Sequence, residues 1–149
     1  MDLDFIVRFA VDERLESKLI DVLAGLGYEL SSTTFVHKAG NPFTVEFPKG
    51  PASIGDEVLQ KFDTLRDGDR VLVIVTPTDC IRHRLAHYFY WNDRTALSAA
   101  IGVAKSQKGH VDIRLIKTWA TQLAEESKIE YPDIPKKTSH FLAKLRTSR

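Results

Sequence analysis

Asp2, Leu3 and Asp4 open a strand-like run, and Glu46 sits in a second alternating run, Phe43 to Phe47. Successive side chains of a strand point to opposite faces, so Asp2 and Asp4 share one face while Leu3, Phe5, Val7 and Phe9 share the other. The same parity sets Thr44 and Glu46 against Phe43, Val45 and Phe47. If the two strands pair with their apolar faces on a common core, all three carboxylates emerge on the polar side. Same-face acids on neighbouring strands lie about 5 Å apart, a crowding of negative charge that a divalent cation relieves. Ions held rigidly in this way neutralise a polyphosphate and activate an attacking hydroxyl, which is the chemistry of phosphoryl and nucleotidyl transfer. Acids are also common on the solvent side of half-exposed strands, and Asp-x-Asp spacing does not by itself separate the two readings.

Two further constellations fall in one helical segment. Cys80, His83 and His87 stand at i, i+3 and i+7, close enough in angle to share a helix face, and a thiolate with two imidazoles suits zinc. No fourth ligand stands out, and a lone cysteine more often packs as a small apolar side chain. Arg82, His83, Arg84, His87, Tyr90, Trp91 and Arg94 form an aromatic-basic cluster. Of these, Arg84, Arg94 and Tyr90 are candidates to hold a phosphate or a nucleobase. The alternative is that Tyr88, Phe89 and Trp91 are core, with Arg94 paired to a carboxylate at a helix-helix corner. His37 and His110 sit at turn edges, the serines lack a nucleophile-elbow context, and neither a Walker loop nor a dinucleotide fingerprint is present.

These groups need elements to position them. A chain of 149 residues with 43% hydrophobic and 28% charged residues suits one domain with a real core, or a small sheet with a helical appendage, and shows no sign of a disordered or fibrous protein. The formal net charge of +1 gives no general drive toward nucleic acid. A local basic patch is available in Lys136, Lys137, Lys144, Arg146 and Arg149. The single cysteine excludes an internal disulfide framework and fits a reducing compartment. The longest apolar run, Val71 to Val75, is far short of a bilayer span, and the amino terminus is acidic where a signal peptide would be basic. The expectation is a cytoplasmic protein without a membrane segment.

Along the chain, Asp12 can cap a helix carrying Leu15, Leu19, Val22, Leu23 and Leu26 at helical spacing, stopped by Gly25 and Gly27. Tyr28 to Lys38 and Phe43 to Phe47, separated by Ala39-Gly40-Asn41-Pro42, predict a hairpin. A short helical stretch around Val58 to Leu65 follows, then the turn Asp67-Gly68-Asp69 and a buried strand from Arg70 to Thr76. Thr76 as cap, Pro77 as first helical residue and Asp79 as third predict a helix start. Further helices are expected from Asp93, from Asp112 with Val111 and Ile116 as a hydrophobic staple, and around Phe141, Leu142 and Leu145 after a break at Pro132 to Pro135. The fold class is therefore α+β, a small mixed sheet with packed helices over residues 1–76. A carboxy-terminal helical bundle follows over residues 77–149, packed as one unit with it.

Several segments carry a resemblance. They are Asp2-Leu3-Asp4-Phe5-Ile6-Val7, Leu26-Gly27-Tyr28, Val45-Glu46-Phe47-Pro48-Lys49-Gly50-Pro51 with Ile54-Gly55-Asp56-Glu57, and Thr76-Pro77-Thr78-Asp79-Cys80 through Tyr90-Trp91-Asn92-Asp93-Arg94. Together they resemble the nucleotidyltransferase-like proteins of the minimal nucleotidyltransferase superfamily, related to abortive-infection and toxin-antitoxin systems. The likeness spans the chain to about Gln122. It implies magnesium bound by Asp2, Asp4 and Glu46, a nucleoside triphosphate donor and a protein or RNA acceptor. It also implies a helix and a Gly-Gly or Gly-Ser turn ahead of the paired aspartates, whereas Met1 stands one residue before Asp2. The expectation is then a shortened form of a longer product, or a relative that has lost catalysis and serves as a binding or self-association module, for example as a homodimer. RNA binding through the basic tail is a third reading.

Overall fold

Alternation of apolar and polar side chains builds the first sheet. In the computed structural model, which describes residues 2–7 and 13–147, strand β1 (Asp2–Asp4) pairs in parallel with β4 (Thr44–Glu46). β4 pairs antiparallel with β3 (Thr34–His37), and β3 antiparallel with β2 (Tyr28–Ser31), giving the order β1-β4-β3-β2. Leu3 stands opposite Val45 and Val45 opposite Phe35, so these three form one row on one face. Val45 and Phe35 are buried with Leu23 of helix α1 (Glu13–Gly25), and Tyr28 and Phe47 pack against that cluster. Edge-to-face contact of Phe35 with Phe47, at 5.9 Å between ring centres, closes the small core. Gly27, at φ 87, ends α1, and its N–H donates to the Ala24 carbonyl. Asp12, the expected cap of this helix, and Phe9, the expected end of the first apolar row, lie outside the described residues.

One strand expectation is corrected. Tyr28 to Lys38 is not a single arm of a hairpin; it is itself a hairpin of β2 and β3. Ser32 adopts φ 59, which lets the chain reverse within this segment, and β3 then pairs with β4 on its other side.

The chain divides into two compact units, Met1–Ala52 and Ser53–Arg149. The division drawn from the sequence lay after residue 76; the units part after Ala52, and both hairpins that precede the helices belong to the second. These hairpins are β5 (Ser53–Ile54) with β6 (Glu57–Val58), and β7 (Phe62–Asp67) with β8 (Arg70–Val75). Each has a two-residue turn with glycine at its first position, Gly55 at φ 58 and Gly68 at φ 57, where only glycine is unstrained.

This region corrects two further expectations. Val58 to Leu65 is strand and connection instead of helix, because pairing of Phe62–Asp67 with β8 overrides a helix-like spacing of Val58, Phe62 and Leu65. Arg70–Val75 is a strand but not a buried one. β7 and β8 form a two-stranded ribbon whose residues are exposed on both faces, except for a half-buried Ile74.

Four helices complete the second unit: α2 (Pro77–Trp91), α3 (Arg94–Ser106), α4 (Ile113–Glu126) and α5 (Ile134–Arg146), with a short 3-10 turn at Lys108–His110. Local signals set their starts. Thr76 Oγ1 accepts from the Asp79 N–H at 3.1 Å, Asp93 Oδ1 from Thr95 and Ala96, and Asp112 Oδ1 from Leu115. Ile81, Leu85, Phe89, Ala100, Ile116, Ile134 and Phe141 are fully enclosed in a shared core. Each of the Ile, Leu and Phe side chains contributes about 1.5–3 kcal/mol on burial. The protein is thus α+β. Among the described residues no helix is long and apolar enough to cross a membrane.

Candidate functional site

The register of the first sheet decides which polar groups meet. Asp4 of β1 is the direct partner of Glu46 of β4, and Glu46 is in turn the direct partner of Thr34 of β3. Directly opposed residues share a face, so Asp4, Glu46 and Thr34 form a polar row on the side away from Val45 and Phe35. Adjacent strands lie about 4.8 Å apart, so the two acids are immediate neighbours on that face. The Phe5 N–H donates to the Glu46 carbonyl at 2.9 Å and extends the parallel pairing past Asp4. Thr34 Oγ1 donates to Glu46 Oε1 at 2.7 Å, which fixes the Glu46 carboxylate and leaves Oε2 free of that bond. Asp2 pairs by backbone register with Thr44; its side chain lies outside the described part of the chain.

Paired carboxylates are hard oxygen donors that suit magnesium, an ion typically held by one or two carboxylates together with substrate phosphates and water. Among the described residues no group of three His, Cys, Asp or Glu side chains is placed to hold a metal ion. The set available here is Asp4 and Glu46, with Asp2 in the neighbouring register position.

Arg84, Arg94 and Tyr90 belong to the second unit. Arg84 is exposed on α2 and Arg94 exposed at the start of α3, while Tyr90 is half-buried on α2 with its ring edge-on to Tyr131 at 4.7 Å. Tyr90 lines a cleft in which neither arginine takes part. Tyr88 and Phe89 are core, whereas Trp91 is 69% exposed. His83, His87 and Trp91 form a ladder along α2 with 4.9 Å between successive rings. Of the basic-tail residues, Lys137 is drawn inward, donating to the Phe89 carbonyl and pairing with Asp133 at 3.2 Å, and Arg149 lies outside the described residues.

Sequence reasoning passed over two residues. Thr34 lies in a run of serines and threonines, and only the strand register singles it out. Arg82 was one of several basic residues, yet it is buried: Nη1 donates to Asp79 Oδ1 at 2.8 Å, Nη2 donates to Glu57 Oε2, and the guanidinium lies over the Trp119 ring at 5.2 Å. Its Nε has no hydrogen-bond partner. The signal for Asp79 was local, at three residues' distance; Glu57 is 25 residues away and could not be read from spacing. No family model matches the chain, and neither a curated protein nor a solved structure matches it.

Proposed function

We propose that this protein is a nucleotidyltransferase-like enzyme that transfers a nucleotidyl group from a nucleoside triphosphate to a protein or RNA acceptor, in a cytoplasmic toxin-antitoxin setting. The observation that supports it is the opposition of Asp4 and Glu46 across the parallel β1–β4 pair. The family resemblance of the surrounding segments gives that pair its chemical context. Asp2, Asp4 and Glu46 would hold magnesium, which when bound supplies charge neutralisation for the triphosphate and lowers the pKa of a coordinated hydroxyl. Thr34 holds the Glu46 carboxylate in place. Within the second unit, Arg84 and Arg94 offer charge-assisted bonds to a phosphate and Tyr90 offers a ring for stacking on a base. The test is magnesium-dependent transfer of labelled nucleotide by the full chain and by Asp4→Ala. Loss of labelling in the variant is the expected outcome, and equal labelling by the two refutes the assignment.

A second reading is a catalytically inactive module that associates with itself. The observation favouring it is the β7–β8 ribbon, on which Phe62, Leu65, Val71, Leu72, Val73 and Val75 are exposed. Apolar strands with free edges are templates for pairing with another chain.

A further inference from the structure

We propose that His83 and His87 of helix α2 form a two-imidazole site for a borderline divalent transition-metal ion of the zinc, nickel and copper class. The site lies wholly within the second unit. It uses none of the residues assigned to magnesium or to the nucleotide.

Donor chemistry sets the class of ion. Imidazole nitrogen suits zinc, nickel and copper, whereas magnesium and calcium take oxygen ligands. Two histidines at i and i+4 on one helix face are the spacing with which the His-Glu-x-x-His pattern holds zinc. Here the run is His83-Arg84-Leu85-Ala86-His87, so both histidines stand at that spacing and Arg84 replaces the glutamate that serves as base. The residues therefore supply ligands for an ion without the carboxylate that metal-assisted hydrolysis would need.

The placement of the rings is a separate argument. The His83 and His87 ring centres are 4.9 Å apart, with the ring planes inclined at 51°. Zinc–nitrogen bonds of about 2.0–2.1 Å, ring centres about 1.2 Å beyond each nitrogen and a tetrahedral angle at the metal set two bound imidazole centres about 5 Å apart. The two rings thus already stand at the separation of ligands that share one ion.

Packing holds them in that arrangement. Ile81, Leu85 and Phe89 are fully enclosed in the core and fix α2 from its other side. His87 is half-buried, and Trp91 lies against its ring one turn further along, with 4.9 Å between centres. A ligand ring restrained on both sides loses less freedom when it takes up metal. Cys80 does not complete a group of three, since no such group of His, Cys, Asp or Glu occurs among the described residues. Two protein ligands leave the other coordination positions to water, which makes this an open site for an exchangeable ion.

The full chain, in magnesium-free buffer, is titrated with zinc chloride by calorimetry. Copper(II) chloride is titrated in a Cys80→Ala background, because copper(II) oxidises thiols, and followed by tryptophan emission. Trp91 reads the copper ion directly, being in ring contact with His87. We expect saturation by both ions at one per chain, copper binding the tighter of the two. His83→Gln and His87→Gln each weaken binding about tenfold or more, whereas Cys80→Ala and His110→Gln leave zinc affinity within about twofold. Trp91→Phe removes most of the copper quenching. His83 is exposed, so its substitution keeps the fold. Zinc at about 100 times Kd raises Tm by about 5 °C in the unsubstituted chain and leaves that of His83→Gln unchanged. Absence of saturation by both ions, an affinity indifferent to both histidine substitutions, or a loss in Cys80→Ala equal to that in His83→Gln would each overturn the site.

Discussion

Thr34 Oγ1 donates to Glu46 Oε1 at 2.7 Å, across the antiparallel pair that places Thr34 directly opposite Glu46. Groups that orient a metal-binding carboxylate typically matter about 10–100-fold in affinity or activity. Thr34→Val keeps the β-branched shape and removes the hydroxyl, so it is expected to weaken magnesium-dependent nucleotide labelling about tenfold without unfolding the sheet. Thr34→Ser, which keeps the donor, restores most of it. The two variants are compared at varied magnesium concentration. An effect that magnesium does not relieve would count against the proposed binding of magnesium at Glu46.

Arg82 is held by one buried and one exposed acid, and these differ in consequence. Its side chain is 6% exposed, that of Asp79 13% and that of Glu57 55%. Removing the guanidinium leaves Asp79 charged and enclosed, so Arg82→Met is expected to cost about 3–5 kcal/mol. Glu57→Gln, at the water-facing end, costs about 1 kcal/mol or less. Thermal or urea unfolding ranks the two, and equal losses would contradict the burial difference.

Signals that act within a few residues were legible in the sequence, and those that act across the chain were not. Thr76, Pro77 and Asp79 specified the start of α2 because a cap is satisfied locally. The parity of Leu3, Asp4, Val45 and Glu46 gave the shared polar face, since alternation is a property of the strand itself. That β1 and β4 run parallel, with Asp4 in register with Glu46, depends on tertiary pairing that parity leaves open. The run Val71 to Val75 was misleading for a related reason. Continuous apolarity ordinarily reports cover on both faces, whereas β8 has a partner on one edge and open faces. Val58, Phe62 and Leu65 fit a helical stripe as well as they fit strands, and the pairing with β8 decided the matter.

Gly27 tests whether the end of α1 is a conformational requirement. It sits at φ 87, and a Cβ there would lie 3.0 Å from His37 Nε2. Both effects oppose a side chain, so Gly27→Ala is expected to destabilise the first unit by about 1–2 kcal/mol. Gly25→Ala meets nothing within 4 Å and lies within the helix, so it is expected to be neutral or stabilising by up to about 1 kcal/mol. Hydrogen exchange of the β2–β3 amides reads the local stability. The same change in both variants would show that the backbone conformation at Gly27 is not limiting.

The β7–β8 ribbon makes the self-association reading testable at a single position. An isolated two-stranded hairpin is marginal in water, and here both of its edges are open among the described residues. A second β8 laid antiparallel against the first, with the two-fold axis at Val73, sets Val71 opposite Val75 and Leu72 opposite Ile74 on the other copy. Every cross-strand pair from Val71 to Val75 in that register is apolar and like faces meet, with Arg70 left at the outer end opposite Thr76, so a four-stranded sheet can form without setting like charges against each other. Val73→Lys places two ammonium groups against each other at the axis. Sedimentation of the unsubstituted chain is expected to show a concentration-dependent dimer, and Val73→Lys to shift it to monomer while the helical signal in circular dichroism is retained. A chain that stays monomeric at the highest concentration, or a dimer indifferent to Val73→Lys, would remove the ribbon as the contact and leave the carboxylate row as the better-supported basis for function.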